Sequence, residues 1–219
     1  MKKRLLAIFL AVAMLASMLV LPAGAADVSE EDITCTSAGF FKWLYEQKGD
    51  ADAYDAYLLL TTGQYGSMDI TDEKDGEFYA ATELGNAGDA TSLENLQATI
   101  EWLKECNELR QTDDNSSDLA DLQVNSLLMA IAELDVNWSG INYEHAEVFY
   151  VAENLAWGYA DPFEGWYTEE KAIYDAGESG ETGHYTNIIS SSYAVTGFAV
   201  STSGTRTHGQ VFYFSSNSK

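Results

Sequence analysis

The spacing of apolar side chains changes partway along this chain, and the change limits the folds open to it. Over residues 93–109 and 119–134, leucine and isoleucine recur every three or four positions, as on one face of a helix. Over residues 193–201 and 210–214, apolar residues alternate with smaller or polar ones, which is typical of strands. Helices in the middle of a chain with strands mostly late predict an α+β fold.

Capping residues locate the predicted helices. Thr91 to Glu94 fit the capping-box pattern that opens a helix. Asp118 is the predicted N-cap of a second helix that ends near Leu134. We also expect helical structure over residues 166–174 and at two aromatic-rich stretches, residues 40–45 and 54–59.

The first 25 residues have the composition of a secretory signal peptide. Three basic residues precede an apolar run over residues 5–21, and Ala23-Gly24-Ala25 fits a cleavage site. An uncleaved membrane anchor is the alternative, because a run of this length is close to the lower limit for spanning a bilayer. We expect a secreted protein with an acidic, partly helical extension over residues 26–91, a main domain over residues 92–219 and no further transmembrane segment.

The charge of the chain limits its partners. It has 35 Asp and Glu residues against 11 Lys and Arg, a formal net charge of -24. Such a field repels phosphate backbones and anionic headgroups, so we expect no nucleic acid as a partner, and acidic membranes are poor partners. Cations and neutral or basic surfaces suit it better, and we expect an extracellular small molecule, lipid or protein as the partner.

The chain has two cysteines, Cys35 and Cys106. An exported protein meets an oxidising compartment, so one disulfide between them is an open prediction. Two buried, reduced thiols are the alternative.

Four acidic and histidine side chains stand inside distinctive local strings. They are His145, Glu153, Glu169 and His184, found in Tyr143-Glu-His145, in residues 152–158, in residues 165–169 and in residues 182–189. With these strings in this order, residues 93–214 resemble the CAP superfamily of cysteine-rich secretory, antigen-5 and pathogenesis-related proteins (the SCP domain), and in particular its secreted bacterial branch.

The resemblance implies a fold and a site. The fold is the CAP-type α-β-α sandwich with a central antiparallel sheet, here preceded by the mostly helical N-terminal segment. The site is a cleft lined by His145, Glu153, Glu169 and His184. The chain departs from the family motifs at Ala152, which replaces a glycine, and at Cys106, which replaces a histidine.

The same four residues can also be assessed from their chemistry alone. Neutral imidazoles are good zinc ligands, so His145 and His184 are the candidate metal ligands and zinc the candidate cofactor. Glu153 or Glu169 would then complete the shell or act as general base. The alternative is a cleft in which the four groups only hydrogen-bond one another. The metalloprotease and hydrolase motifs H-E-x-x-H and G-x-S-x-G are absent from the sequence.

The leading interpretation is a non-enzymatic, extracellular module that binds a ligand or partner in this cleft. The alternative is a metal-assisted extracellular hydrolase of peptide or cell-wall bonds, whose catalytic residues would be Glu153 or Glu169. A third interpretation assigns function to residues 26–91. His208, the remaining histidine, is expected at a surface or sheet edge.

Overall fold

The computed structural model describes residues 33–72, 74–116 and 119–214. The predicted signal peptide lies outside these residues. The helices are α1 Ser37–Lys48, α2 Ala51–Thr62, α3 Gly76–Ala80, α4 Leu93–Thr112, α5 Ser126–Asn142, α6 Glu170–Ala176 and α7 Gly183–Ile188. The strands are β1 Gln64–Tyr65, β2 Met68–Asp69, β3 Gln123–Val124, β4 Ala152–Trp157, β5 Val195–Ser201 and β6 Thr207–Tyr213. A π-helical segment, Glu164–Glu169, leads into α6. In the described part of the chain, no helix has both the length and the apolarity needed to cross a membrane.

A four-stranded sheet forms the middle of the molecule, in the order β3-β5-β6-β4. The pairs β5–β6 and β6–β4 are antiparallel, and the short β3 adds a parallel edge to β5. The predicted α+β class and central antiparallel sheet are therefore confirmed.

Helices cover both faces of this sheet. On one face, α5 lies so close that a Cβ on Gly197 would be 2.1 Å from the carbonyl carbon of Leu128. On the other face, α4 packs on the strands through Trp102, whose ring lies 5.5 Å from that of His208. The close approach of α5 explains why a glycine stands in the middle of β5. These contacts give the α-β-α sandwich that the resemblance implied.

The N-terminal helices form a further layer on the outer side of α5. The predicted helices near residues 40–45 and 54–59 are confirmed as α1 and α2, which are capped by Thr36 and Asp50. Both helices pack on α5. Because it has neighbours on both sides, α5 is buried almost continuously from Ser126 to Asn137.

Two helix starts differ from prediction. The N-cap of α4 is Ser92 rather than Thr91, and its side chain accepts a hydrogen bond from the backbone N–H of Asn95. The second helix was predicted from Asp118, and this is wrong, since α5 begins only at Ser126. The side chain of Asn107 bonds both backbone groups of Leu122, at 2.9 and 3.1 Å, and so holds that residue outside a helix.

Both cysteines are free thiols, so of the two alternatives that the sequence left open the disulfide is not the one found. Cys106 is buried between α4 and the sheet, where its sulfur accepts a hydrogen bond from Gln210 at 3.2 Å. Cys35 precedes α1, which belongs to the layer beyond α5. Burial raises the pKa of the Cys106 thiol to about 11.

Candidate functional site

One histidine–glutamate pair lies where the loop after α5 meets β4. Nδ1 of His145, in the loop, is 2.5 Å from Oε2 of Glu153, in β4. The His145 side chain is 45% exposed and that of Glu153 only 10%. The hydrogen bond to Glu153 raises the pKa of His145 and outweighs the opposing effect of burial. The structure thus brings together two of the four predicted residues.

Alternation along β4 decides which side each residue faces. Leu155 lies opposite Gly209, and a Cβ on that glycine would contact both Leu155 and Val136 of α5, so this side faces α5. Glu153, two residues earlier, points the same way. Asn154 points to the other side, where its Nδ2 donates to the carbonyl oxygen of His184 at 3.1 Å.

Asp135 of α5 is a third member of the site that the sequence interpretation missed. It is 5% exposed. Its pKa is raised well above the usual range, first by burial and then by the charge of Glu153 and a hydrogen bond to that carboxylate. Oε1 of Glu153 is itself buried. The acids at 133 and 135, inside a largely apolar helical run, were the available signal, because a buried acid needs a partner.

A pocket of about 400 Å³ opens beside this pair. Its lining consists of Asp135, His145, Glu147, residues 148–151 and Glu153. The volume is within the usual range for small-molecule sites. The lining is acidic on one part and apolar or aromatic on another.

The second histidine–glutamate pair joins α7 to α6. Nδ1 of His184 bonds Oε1 of Glu170, and Oε2 of Glu170 accepts a hydrogen bond from the backbone N–H of Tyr185 at 2.9 Å. The ring of Trp166 stacks on that of His184, with centroids 6.2 Å apart. Glu170 is buried, whereas the predicted Glu169 is exposed.

The π-helical segment explains why the partner of His184 is Glu170 and not Glu169. A π turn holds more residues than an α turn, and Trp166 lies within this one. The side chain one turn after Trp166 is therefore that of Glu170. An acid three residues after the tryptophan, which the sequence motif predicted, points away from the histidine.

Arg110 holds the end of α7 in place. Its guanidinium is buried and donates to the carbonyl oxygens of Ile188, Ser190 and Ala120. Arg110 thus helps to fix the conformation of the chain after His184.

The two pairs do not form a single cluster. Within the described ranges, no hydrogen bond or ion pair joins His145 or Glu153 to His184 or Glu170, and the pocket is lined by the first pair alone. In the same part of the chain, no three His, Cys, Asp or Glu side chains are arranged to hold one metal ion. The predicted zinc ligands His145 and His184 therefore do not meet the three-ligand requirement of a catalytic zinc site.

Comparison with known proteins agrees with this architecture. The model of the cysteine-rich secretory protein family (CAP) matches residues 103–217, which include both histidine–glutamate pairs. A search of the curated proteins finds no match. The family match extends over more than half of the chain, and the protein is a member of the cysteine-rich secretory protein (CAP) family.

Proposed function

We propose that this protein is a secreted CAP-domain module of the bacterial branch, which binds a ligand or partner outside the cell without catalysing a reaction. Its binding site is the pocket beside His145 and Glu153. The family membership and the signal-like composition of residues 1–25 support an extracellular role.

One observation carries the binding role. The pocket of about 400 Å³ has in its wall a carboxylate, Glu153, that pairs with His145 beside the apolar side chains of Val148, Phe149 and Val151. A polar group of this kind beside apolar walls is typical of a small-molecule site.

The hydrolase alternative is not favoured. It requires His145 and His184 around one zinc ion, with Glu153 or Glu169 as base. Among the described residues, His184 instead pairs with Glu170, Glu169 is exposed, and no three such side chains can share an ion. The four predicted residues therefore do not fit a zinc site.

The test combines a fragment screen with an activity panel. Protein labelled with ¹⁵N is mixed with small polar, apolar and charged fragments, and amide shifts are mapped by NMR. We expect ligands that shift the amides of residues 145–153 in the wild type and not in Glu153→Gln. The matched control is Glu169→Gln, which makes the same chemical change on the exposed neighbour of Glu170.

Two results would contradict the proposal. One is a screen whose hits shift only amides remote from the pocket. The other is zinc-dependent turnover of peptide, ester or glycan substrates that Glu153→Gln abolishes.

A further inference from the structure

Helix α5 carries a buried acid on the side that faces the N-terminal layer of α1 and α2. This acid, Glu133, is 1% exposed. The hydroxyl of Ser37, at the start of α1, donates to its Oε2 at 2.7 Å. Its Oε1 is also buried and has no hydrogen-bond partner among the described residues. The contact between α1 and α5 therefore includes a carboxyl group that receives a single donor.

A second buried acid, Asp89, faces the same turn of α5. Nδ2 of Asn137, one turn after Glu133, donates to it at 3.0 Å. Asp89 also accepts hydrogen bonds from the backbone N–H groups of Thr91 and Glu83, both at 2.8 Å. Several donors around a carboxyl group favour its ionised form. Asp89 therefore holds the negative charge of this region, and Glu133, with one donor, holds a proton.

The surroundings of Glu133 do not compensate a negative charge. Burial raises the pKa of Glu133 well above its usual range, the hydrogen bond from Ser37 opposes this shift, and the charge of Asp89 adds to it. Of the described ionisable groups, Asp89 is the one whose charge acts on Glu133. The other charged or titratable side chains of α1, α2, α3 and α5 have different surroundings: Lys42 lies over the Tyr57 ring, Asp50 and Asp52 bond Ser126 and Asn125, Asp55 acts on Tyr65, Tyr79 donates to the carbonyl oxygen of Leu60, Asp135 bonds Glu153, and Glu46, Lys48 and Glu77 are exposed.

We propose that Glu133 makes the docking of the N-terminal layer on α5 sensitive to pH. The neutral carboxyl group fits this contact, whereas the ionised group would be a buried charge beside Asp89 with one donor. The apolar contacts of the layer, made by buried residues such as Phe41, Leu59 and Leu60, do not titrate. A rise in pH therefore increases the fraction of molecules in which the layer is open, without removing the layer altogether. This inference goes beyond the proposed function, because no ligand takes part in it.

The protonation of Glu133 gives the direction of the effect. A solvated glutamate has a pKa of 4.5, so Glu133 loses its proton above that pH when the layer opens, whereas the docked form keeps the proton. Opening is then linked to the release of one proton. Between pH 4.5 and the raised pKa of the docked form, the opening equilibrium rises by up to about tenfold per pH unit. Docking is therefore tightest in acid.

Hydrogen exchange of the full chain at pH 5, 6 and 7 tests the inference. Amide protection is measured by mass spectrometry for peptides of α1 and α2 and for peptides of β5 and β6, after correction for the intrinsic pH dependence of exchange. We expect α1 and α2 to be less protected than the strands, which shows that the layer opens separately from global unfolding. From pH 5 to pH 7, their protection should fall by at least about tenfold in the wild type.

Two variants assign this pH dependence to Glu133. Glu133→Gln keeps an acceptor for Ser37 but cannot ionise, so the protection of α1 and α2 should change by less than about twofold over the same range. Glu46→Gln makes the same chemical change at an exposed position of α1 and should keep the pH dependence of the wild type. Circular dichroism shows whether Glu133→Gln retains the fold. The ¹³C NMR signal of the Glu133 carboxyl group in the wild type tests the inference independently, since it should still be that of a neutral acid at pH 6.

Three results would overturn the inference. The first is equal protection of α1, α2, β5 and β6 at every pH, because the layer would then open only with the whole molecule. The second is a fall in the protection of α1 and α2 that is as large in Glu133→Gln as in the wild type. The third is a Glu133 carboxyl signal that titrates near pH 4.5, the value of a solvated glutamate.

Discussion

Protonation of His208 is expected to destabilise the fold as the pH falls below 6.5. His208 lies in β6, the inner strand between β5 and β4, and is 0% exposed. The expectation of a surface or edge position is therefore wrong. Neither ring nitrogen has a hydrogen-bond partner among the described residues. Burial lowers its pKa from 6.5 to about 4, and the charge of Arg206 acts in the same direction.

The lowered pKa of His208 gives both the sign and the size of the change in stability with pH. The unfolded chain takes up a proton on this histidine near pH 6.5, whereas the folded chain does so only near pH 4. The stability contributed by the neutral ring is present above pH 6.5 and is lost as the pH falls toward 4. Between pH 7 and pH 5 the loss amounts to about 2 kcal/mol in the free energy of unfolding, and at still lower pH to about 3 kcal/mol.

The assay is urea unfolding of the wild type and of His208→Phe at pH 7 and pH 5, followed by tryptophan fluorescence and circular dichroism. Buried acids such as Glu133 also titrate, with a pKa raised by burial, but they are present in both proteins. The difference in unfolding free energy between variant and wild type therefore isolates His208. From pH 7 to pH 5, this difference should change by about 2 kcal/mol, so that the variant becomes more stable relative to the wild type.

If the unfolding free energies of His208→Phe and the wild type differ by the same amount at both pH values, within about 0.5 kcal/mol, this reasoning is refuted. A histidine Cε1–H NMR signal assigned to His208 that titrates near pH 6.5 would refute it independently. Either result would mean that the ring has a proton-accepting partner in the folded protein.

Three further predictions concern the stability of the fold. Glu170→Gln should lower the free energy of unfolding by about 1–3 kcal/mol, while Glu169→Gln should change it by less than about 0.5 kcal/mol, both measured by urea unfolding. Gly197→Ala should destabilise by about 3 kcal/mol or prevent folding, because its methyl group would overlap the backbone of α5; soluble yield and melting temperature check this. A reducing agent should leave the melting temperature unchanged, because Cys35 and Cys106 are free thiols, and a fall on reduction would contradict this.

Local patterns predicted most of the elements. The capping residues and apolar periods located α1, α2 and α4 and the strands β5 and β6 to within a few residues. The same patterns wrongly predicted a helix before residue 126, because leucines at helical spacing continue there in line with the apolar face of α5. There the side chain of Asn107 binds the backbone of Leu122, and β3 pairs with β5. Such tertiary contacts leave no trace in the local period of the sequence.

The sequence motifs contain His145, Glu153 and His184, but they indicate neither the pairing of His184 with Glu170 nor the approach of Asp135 to Glu153. The choice between Glu169 and Glu170 depends on a π turn, which no residue pattern in the segment announces. Asp135 reaches Glu153 only because α5 packs on the strand that carries Glu153. The roles of Glu170 and Asp135 depend on how helices and strands pack in the fold. The motif residues, in contrast, are recognised from the short sequence strings that contain them.

Helix α5 connects the N-terminal layer to the pocket. Glu133 accepts a hydrogen bond from the Ser37 hydroxyl at 2.7 Å, and Asn137 bonds the backbone N–H of Ala90 at 3.0 Å. Asp135, between these two positions, contributes to the pocket wall. Residues before α4 therefore fix the orientation of the helix that places an acid opposite Glu153. The family match begins only at residue 103. It follows that the geometry of the pocket depends on a layer outside the matched region.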